Sequence, residues 1–189
     1  TGEASQAIQA AMPELEPETV EIEKATGRVL REVVVAERDQ PPFDRVTMDC
    51  IAIRYSAFSA GTRSFTIQAR QHAGEPQCEL PDERSCIEIM TGAVLPAGSD
   101  CSMPVERISV SANKASVEPD YAAAHGQFIH ARGSDYLQGR EILSHGHPVA
   151  AADIAVIASC GLASVQVSLQ PAISVISTGD ELVPAGQPI

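Results

Sequence analysis

Two adjacent prolines, Pro41 and Pro42, fix φ at successive residues, remove two backbone donors and push Gln40 out of the α region. The stretch Gln40 to Cys50 is therefore a stiff, extended loop and is excluded as a central strand. It carries two carboxylates, Asp44 and Asp49, with Phe43 and Met48 as the apolar residues able to pin it down. Taken alone, such a loop is either a braced crossing between two domains with solvated aspartates, or a mount that holds an acid still.

The texture on either side of the loop differs. Before it, Ser5 to Met12 has helical spacing up to Pro13, Glu18 to Ala25 reads as a second short helix stopped by Gly27, and Arg28 to Ala36 is an extended β-branched run. After it, short alternating segments recur between Gly, Pro, Asn and Asp. These predict strands at Ile51–Tyr55, Ser64–Ala69, Cys86–Met90, Met103–Val110, Lys114–Glu118 and Gln127–His130. Near Arg132 the texture changes back: Gly133-Ser134-Asp135 turns, Ile142 and Leu143 are extended, Ala150 to Cys160 is the best helix, and Val165 to Leu169 is extended again.

This pattern predicts an α+β, mostly β protein. A discontinuous mixed α/β domain, residues 1–50 and 131–171, is interrupted by a β-rich barrel or sandwich-like insert, residues 51–130. An insert leaves and re-enters its host at neighbouring points, so the Pro41–Cys50 loop and the Arg132–Asp135 turn are expected to touch. Residues 172–189 read as the opening of a third, truncated α/β domain. Ala172 to Ser177 resembles a buried strand, and Thr178-Gly179-Asp180-Glu181-Leu182 turns off its end towards a helix.

A net charge of −12 argues against nucleic-acid binding, which needs clustered Lys and Arg. Five cysteines without paired spacing fit a reducing cytoplasm rather than a disulfide framework. No apolar run is long enough to span a bilayer, and Thr1 begins no basic, apolar leader, so no membrane association is expected. Cys50 reads as a buried, inert thiol, and His72, His125 and His130 as surface or core residues.

Four strings occur in order: Pro41-Pro42-Phe43-Asp44 with Met48-Asp49; Ile89-Met90-Thr91-Gly92-Ala93 followed by Pro96, Gly98 and Asp100; Arg132-Gly133 with Asp135; and Ser177-Thr178-Gly179-Asp180-Glu181-Leu182. Together they resemble the molybdopterin molybdenumtransferases, the MoeA family that also includes the E domain of gephyrin, from about Val20 onward. The resemblance implies an elongated homodimer. It also implies a reaction that takes adenylylated molybdopterin and molybdate and, with Mg²⁺, releases AMP and leaves molybdenum on the dithiolene sulfurs. The molybdopterin adenylyltransferase is a further expected partner, and this segment by itself is expected to be inactive.

Carried over by motif, Asp49, Thr91 and Glu181 match catalytic positions, with Asp49 and Glu181 as metal ligands and Asp135 and Asp180 as cofactor-binding residues. Hard carboxylate oxygens suit Mg²⁺ and can orient water, and a small Thr-Gly turn lets backbone donors approach a phosphate or oxyanion. Three departures stand out. Arg45-Val46-Thr47 replaces Asn-Ser-Ala, Cys50 replaces a glycine and would be strained if that position needs φ > 0, and Glu88 stands where arginine is common. They favour a second reading, a divergent, non-catalytic dimerisation or scaffold module.

Overall fold

The computed structural model describes residues 2–179, 181–183 and 185–187. The elements in chain order are α1 (Gly2–Ala11), β1 (Pro17–Glu21), β2 (Val34–Val35), β3 (Arg45–Val46), β4 (Cys50–Ile53), α2 (Tyr55–Ser59), β5 (Ser64–Gln71), β6 (Ser85–Ile89), β7 (Cys101–Pro104), β8 (Ile108–Ser111), β9 (Lys114–Val117), β10 (Ile129–His130), β11 (Glu141–Leu143), α3 (Ala151–Ser159) and β12 (Ser164–Ser168). Strand outweighs helix, 30% to 16%, as the alternation predicts. No helix among the described residues is long and apolar enough to cross a membrane.

The chain forms two compact units, one from the residues up to Val34 together with those from Leu143 onward, and one from Val35–Ile142. The division therefore falls outside the expected 51–130 boundaries. The proline loop and the Arg132 turn belong to the same unit as the β-rich segment. They do touch: the Gly133 amide donates to Pro41 O at 2.9 Å, the Asp135 amide to Gln40 O at 2.9 Å and the Arg132 amide to Asp44 Oδ1 at 2.7 Å.

In the discontinuous unit, β1 pairs antiparallel with β12, Val20 opposite Val165. The predicted helix at Glu18–Ala25 is instead β1 followed by a 3₁₀ turn at Ile22–Lys24. Cross-strand pairing over the whole of β1 overrides a weak helical propensity, and the turn packs against α3. Asp153 in the first turn of α3 reaches back to the Ala150 amide at 2.8 Å and to His147 Nε2 at 2.7 Å. The Ala150 N–H, then His147, holds that carboxyl below its ordinary range. Residues 171–179 contain no strand, and Ile173, Val175 and Ile176 are exposed, contrary to the buried strand expected there. Backbone donors and acceptors of one apolar segment need a neighbour to pair with, and no strand pairs with it among the described residues.

The second unit is built on a curled six-stranded sheet of order β7-β4-β6-β5-β9-β8, antiparallel except for the β5–β6 pair. Between the edge strand β7 and β6, β4 is buried along its length. Alternation sends Ile51 and Ile53 into a cluster with Phe58, Phe65, Cys86 and Met103, and Cys50 and Ala52 into a second cluster with Val46, Ile89, Ala93 and Leu95. Two predicted strands overran. Tyr55 starts α2 because its amide is taken by Asp100 Oδ1 at 2.6 Å, and the run from Met103 breaks at Pro104 into a 3₁₀ turn before β8.

Gln71, at the end of β5, is fully buried, yet both ends of its amide are satisfied: Nε2 donates to Val94 O at 2.6 Å and Oε1 accepts from the Cys78 amide at 2.7 Å. It ties the β5–β6 crossover to the connection that follows β6. Gln71→Ala removes the partners of the Val94 carbonyl and the Cys78 amide, both on half-buried residues, and is expected to destabilise the protein by about 1–3 kcal/mol in urea unfolding.

Candidate functional site

The register of β4 against β6 builds the first part of the site. Cys50 opposes Ile89, so Asp49, one residue before β4, meets the Thr91 turn just beyond the end of β6. The Thr91 amide and its Oγ1 both donate to Asp49 Oδ1 at 2.9 Å, leaving Oδ2 without a partner among the described residues. Gly92 follows at φ +83, a conformation L side chains rarely adopt, which lets the chain turn back to the Ala93 amide that bonds Met90 O. The Thr91 backbone bond, then its hydroxyl bond, holds the Asp49 carboxyl below its ordinary range against a smaller opposing effect of burial. Asp49 is thus an exposed, fixed carboxylate.

That depression has a measurable sign. A group with a lowered folded pKa stabilises the fold above its unfolded pKa and loses that contribution as pH falls through the folded value. Asp49→Asn is therefore expected to cost stability at neutral pH, and the gap between it and wild type is expected to close below about pH 4 in parallel unfolding curves.

Asp135 lies elsewhere in the same unit. Its Oδ1 is 2.9 Å from His130 Nε2, and His130 Nδ1 is 3.2 Å from Arg45 Nη2. Arg45 and His130 are register partners in the β3–β10 pair. Arg45 reaches a cleft of about 220 Å³ that is also lined by Val46, Thr47, Thr91 and Gly92. This network joins Asp135 to the Thr91 side of the site through a histidine that sequence reasoning set aside as a surface or core residue. A larger hollow of about 370 Å³, lined by Phe43, Asp44, Pro96, Gly98 and Arg132 among others, includes neither Asp49 nor Thr91. Phe43 is exposed in it, so Met48, packed against the second core cluster, is the loop's apolar anchor.

Glu181 lies in the discontinuous unit, exposed and outside any helix or strand. Asp180 lies outside the described residues. No three metal-ligating side chains converge among the described residues. What Asp49 offers Mg²⁺ is one open carboxylate oxygen, which fits an ion that commonly takes one or two carboxylates and completes its shell with water and phosphate.

Two of the departures from the family pattern are structurally absorbed. Cys50 opens β4 with partners on both sides, Ile89 and Pro104, and is not among the positive-φ residues, so no strain arises. Burial pushes its thiol up to about 11, which makes it an inert apolar side chain. Glu88 is neutralised by Arg70, its register partner on β5, at 2.7 Å.

Comparison with known proteins agrees with this architecture. A family model described as the MoeA N-terminal region (domain I and II) matches residues 1–161. A molybdopterin molybdenumtransferase of Synechocystis is 38% identical over 180 residues, covering 95% of this chain and 46% of that protein. One from Haemophilus influenzae is 28% identical over 172 residues, covering 91% and 42%. The crystal structure of a molybdopterin biosynthesis MoeA protein from Pyrococcus horikoshii matches with a TM-score of 0.76 at 28% identity, over 98% of this chain and 48% of that one. The chain spans about half the length of these relatives. With the model matched across both units and the Asp49–Thr91 motif pair joined on adjacent strand ends, this chain belongs to the MoeA N-terminal region family.

Proposed function

We propose that this chain is the N-terminal half of a molybdenumtransferase, which moves molybdenum from molybdate onto adenylylated molybdopterin with Mg²⁺-dependent release of AMP. The relatives' shared name supports the reading. The observation that carries it is the fixed, ionised Asp49, clamped through Oδ1 by both donors of Thr91 and open at Oδ2. An open carboxylate oxygen beside a cleft orients a water or a cation. It repels a molybdate dianion, so Asp49 acts on the adenylate side of the reaction. Thr91 holds Asp49 in one rotamer, and Arg45 supplies positive charge to the same cleft. Mg²⁺, bound through Asp49, would offset phosphate charge during adenylate cleavage.

The discontinuous unit and the Val35–Ile142 unit correspond in this reading to the family's first two domains, and residues 172–189 to the start of a third that brings Glu181 and Asp180. Homodimerisation, a cytoplasmic location and exchange of substrate with the molybdopterin adenylyltransferase belong to the same proposal. The isolated segment is expected to be inactive. The test is a molybdenum-insertion assay on a full-length chain with adenylylated molybdopterin, molybdate and Mg²⁺, scored by AMP release. Turnover supports the proposal. Dimerisation without turnover supports the scaffold reading, which the Arg45-Val46-Thr47 departure keeps in play.

A further inference from the structure

Arg45 is held by a histidine rather than by an acid. Six other arginines, Arg28, Arg31, Arg54, Arg70, Arg107 and Arg132, each pair with a carboxylate. Arg45, like Arg38, Arg63, Arg84 and Arg140, makes no ion pair among the described residues of this acidic chain. Its Nη2 meets the ring nitrogen Nδ1 of His130 instead. A guanidinium only donates, so Nδ1 is the acceptor, and the ring proton resides on Nε2, which donates to Asp135 Oδ1. The relay has a direction: Asp135 fixes the tautomer, and the tautomer presents a lone pair to Arg45.

The backbone enforces the arrangement. Arg45 and His130 are paired across β3 and β10, Thr47 donates through both its amide and Oγ1 to Phe128 O, and Phe128 itself sits at φ 55. Asp135 is set by its amide bond to Gln40 O. No carboxylate pairs with Arg45 among the described residues: Glu88 pairs with Arg70, Asp44 Oδ1 accepts from the Arg132 amide, and Asp49 Oδ1 accepts from Thr91 while its Oδ2 stays open. Arg45 therefore lines the Thr91–Gly92 cleft without an ion pair to an acid among the described residues.

We propose that Arg45 binds a phosphate-type oxyanion of the substrate at the Thr91–Gly92 cleft, and that His130, oriented by Asp135, is the positioning residue that holds the guanidinium there. Arg45 then supplies the anion contact in a cleft whose Thr91 also clamps Asp49, the group for a cation or water. The inference rests on the proposed activity for the identity of its substrate, and its test does not depend on turnover.

The test titrates AMP into the full-length protein by calorimetry, alongside Arg45→Ala, His130→Ala and His130→Gln, with ring ¹⁵N spectra of His130. Arg45→Ala is expected to weaken AMP binding about tenfold to a hundredfold, the loss of a charge-assisted contact. His130→Ala weakens it less. His130→Gln, whose amide can accept from Arg45 and donate to Asp135, restores it to near wild type, a rescue that a general packing defect would not give. The spectra show an unprotonated Nδ1 in wild type. Equal AMP affinity in wild type and Arg45→Ala, no AMP binding by wild type, or a proton on Nδ1 overturns the inference. Arg45-dependent AMP binding in a protein that does not insert molybdenum upholds it and overturns the proposed activity instead.

Discussion

Replacing Asp49 by Asn in a full-length chain is expected to lower kcat/KM for molybdenum insertion by about two to three orders of magnitude. The change is nearly isosteric, and an amide oxygen still accepts from the Thr91 amide and hydroxyl, so the turn beyond β6 keeps its shape. What disappears is the negative charge on the oxygen left open, the only part that can draw a cation or polarise a water. The loss should therefore fall mainly on kcat, with a far-ultraviolet spectrum unchanged from wild type. Thr91→Val separates the two contributions. It keeps the amide donor, removes the hydroxyl and is expected to lose about tenfold, because Asp49 stays charged but less well aimed. Full activity in Asp49→Asn would remove this carboxylate from the reaction.

The second large effect is on stability. Phe65 on β5 is completely buried in the cluster that contains Ile51, Ile53 and Met103. Phe65→Ala is expected to cost about 3–5 kcal/mol, the transfer free energy of the ring plus an unfilled cavity. Chemical unfolding monitored on the Val35–Ile142 unit measures it. Because β4 belongs to the same cluster and begins one residue after Asp49, the variant is also expected to lose activity at denaturant concentrations where wild type is unaffected. A loss below 1 kcal/mol would mean that the cluster closes over the gap.

Much of the second unit was legible in the sequence, since strands with one buried face announce themselves by alternation, as in Ser64 to Ala69 and Lys114 to Val117. The motifs named Asp49 and Thr91 separately, but their contact follows from the β4–β6 register, a long-range pairing that no local pattern encodes. His130 was missed for the same reason. Its strand holds two residues, too few for any periodicity, and its importance comes from Arg45 across the ladder. Glu18 to Glu21 failed in the opposite sense: a helix-compatible stretch became a strand because a partner from the far end of the chain pairs with it. Residues 172–177, read as extended, have no strand partner among the described residues, and Ile173, Val175 and Ile176 are exposed.

The pairing of β1 with β12 joins Pro17 to Ser168. At translation rates of about 5–20 residues per second, β1 waits roughly 8–30 s on the ribosome before its partner emerges. The inserted unit is fully synthesised during that interval and has time to fold first. Nascent chains arrested shortly after Ile142 should thus expose the N-terminal segment to protease while the sheet around Phe65 is already protected.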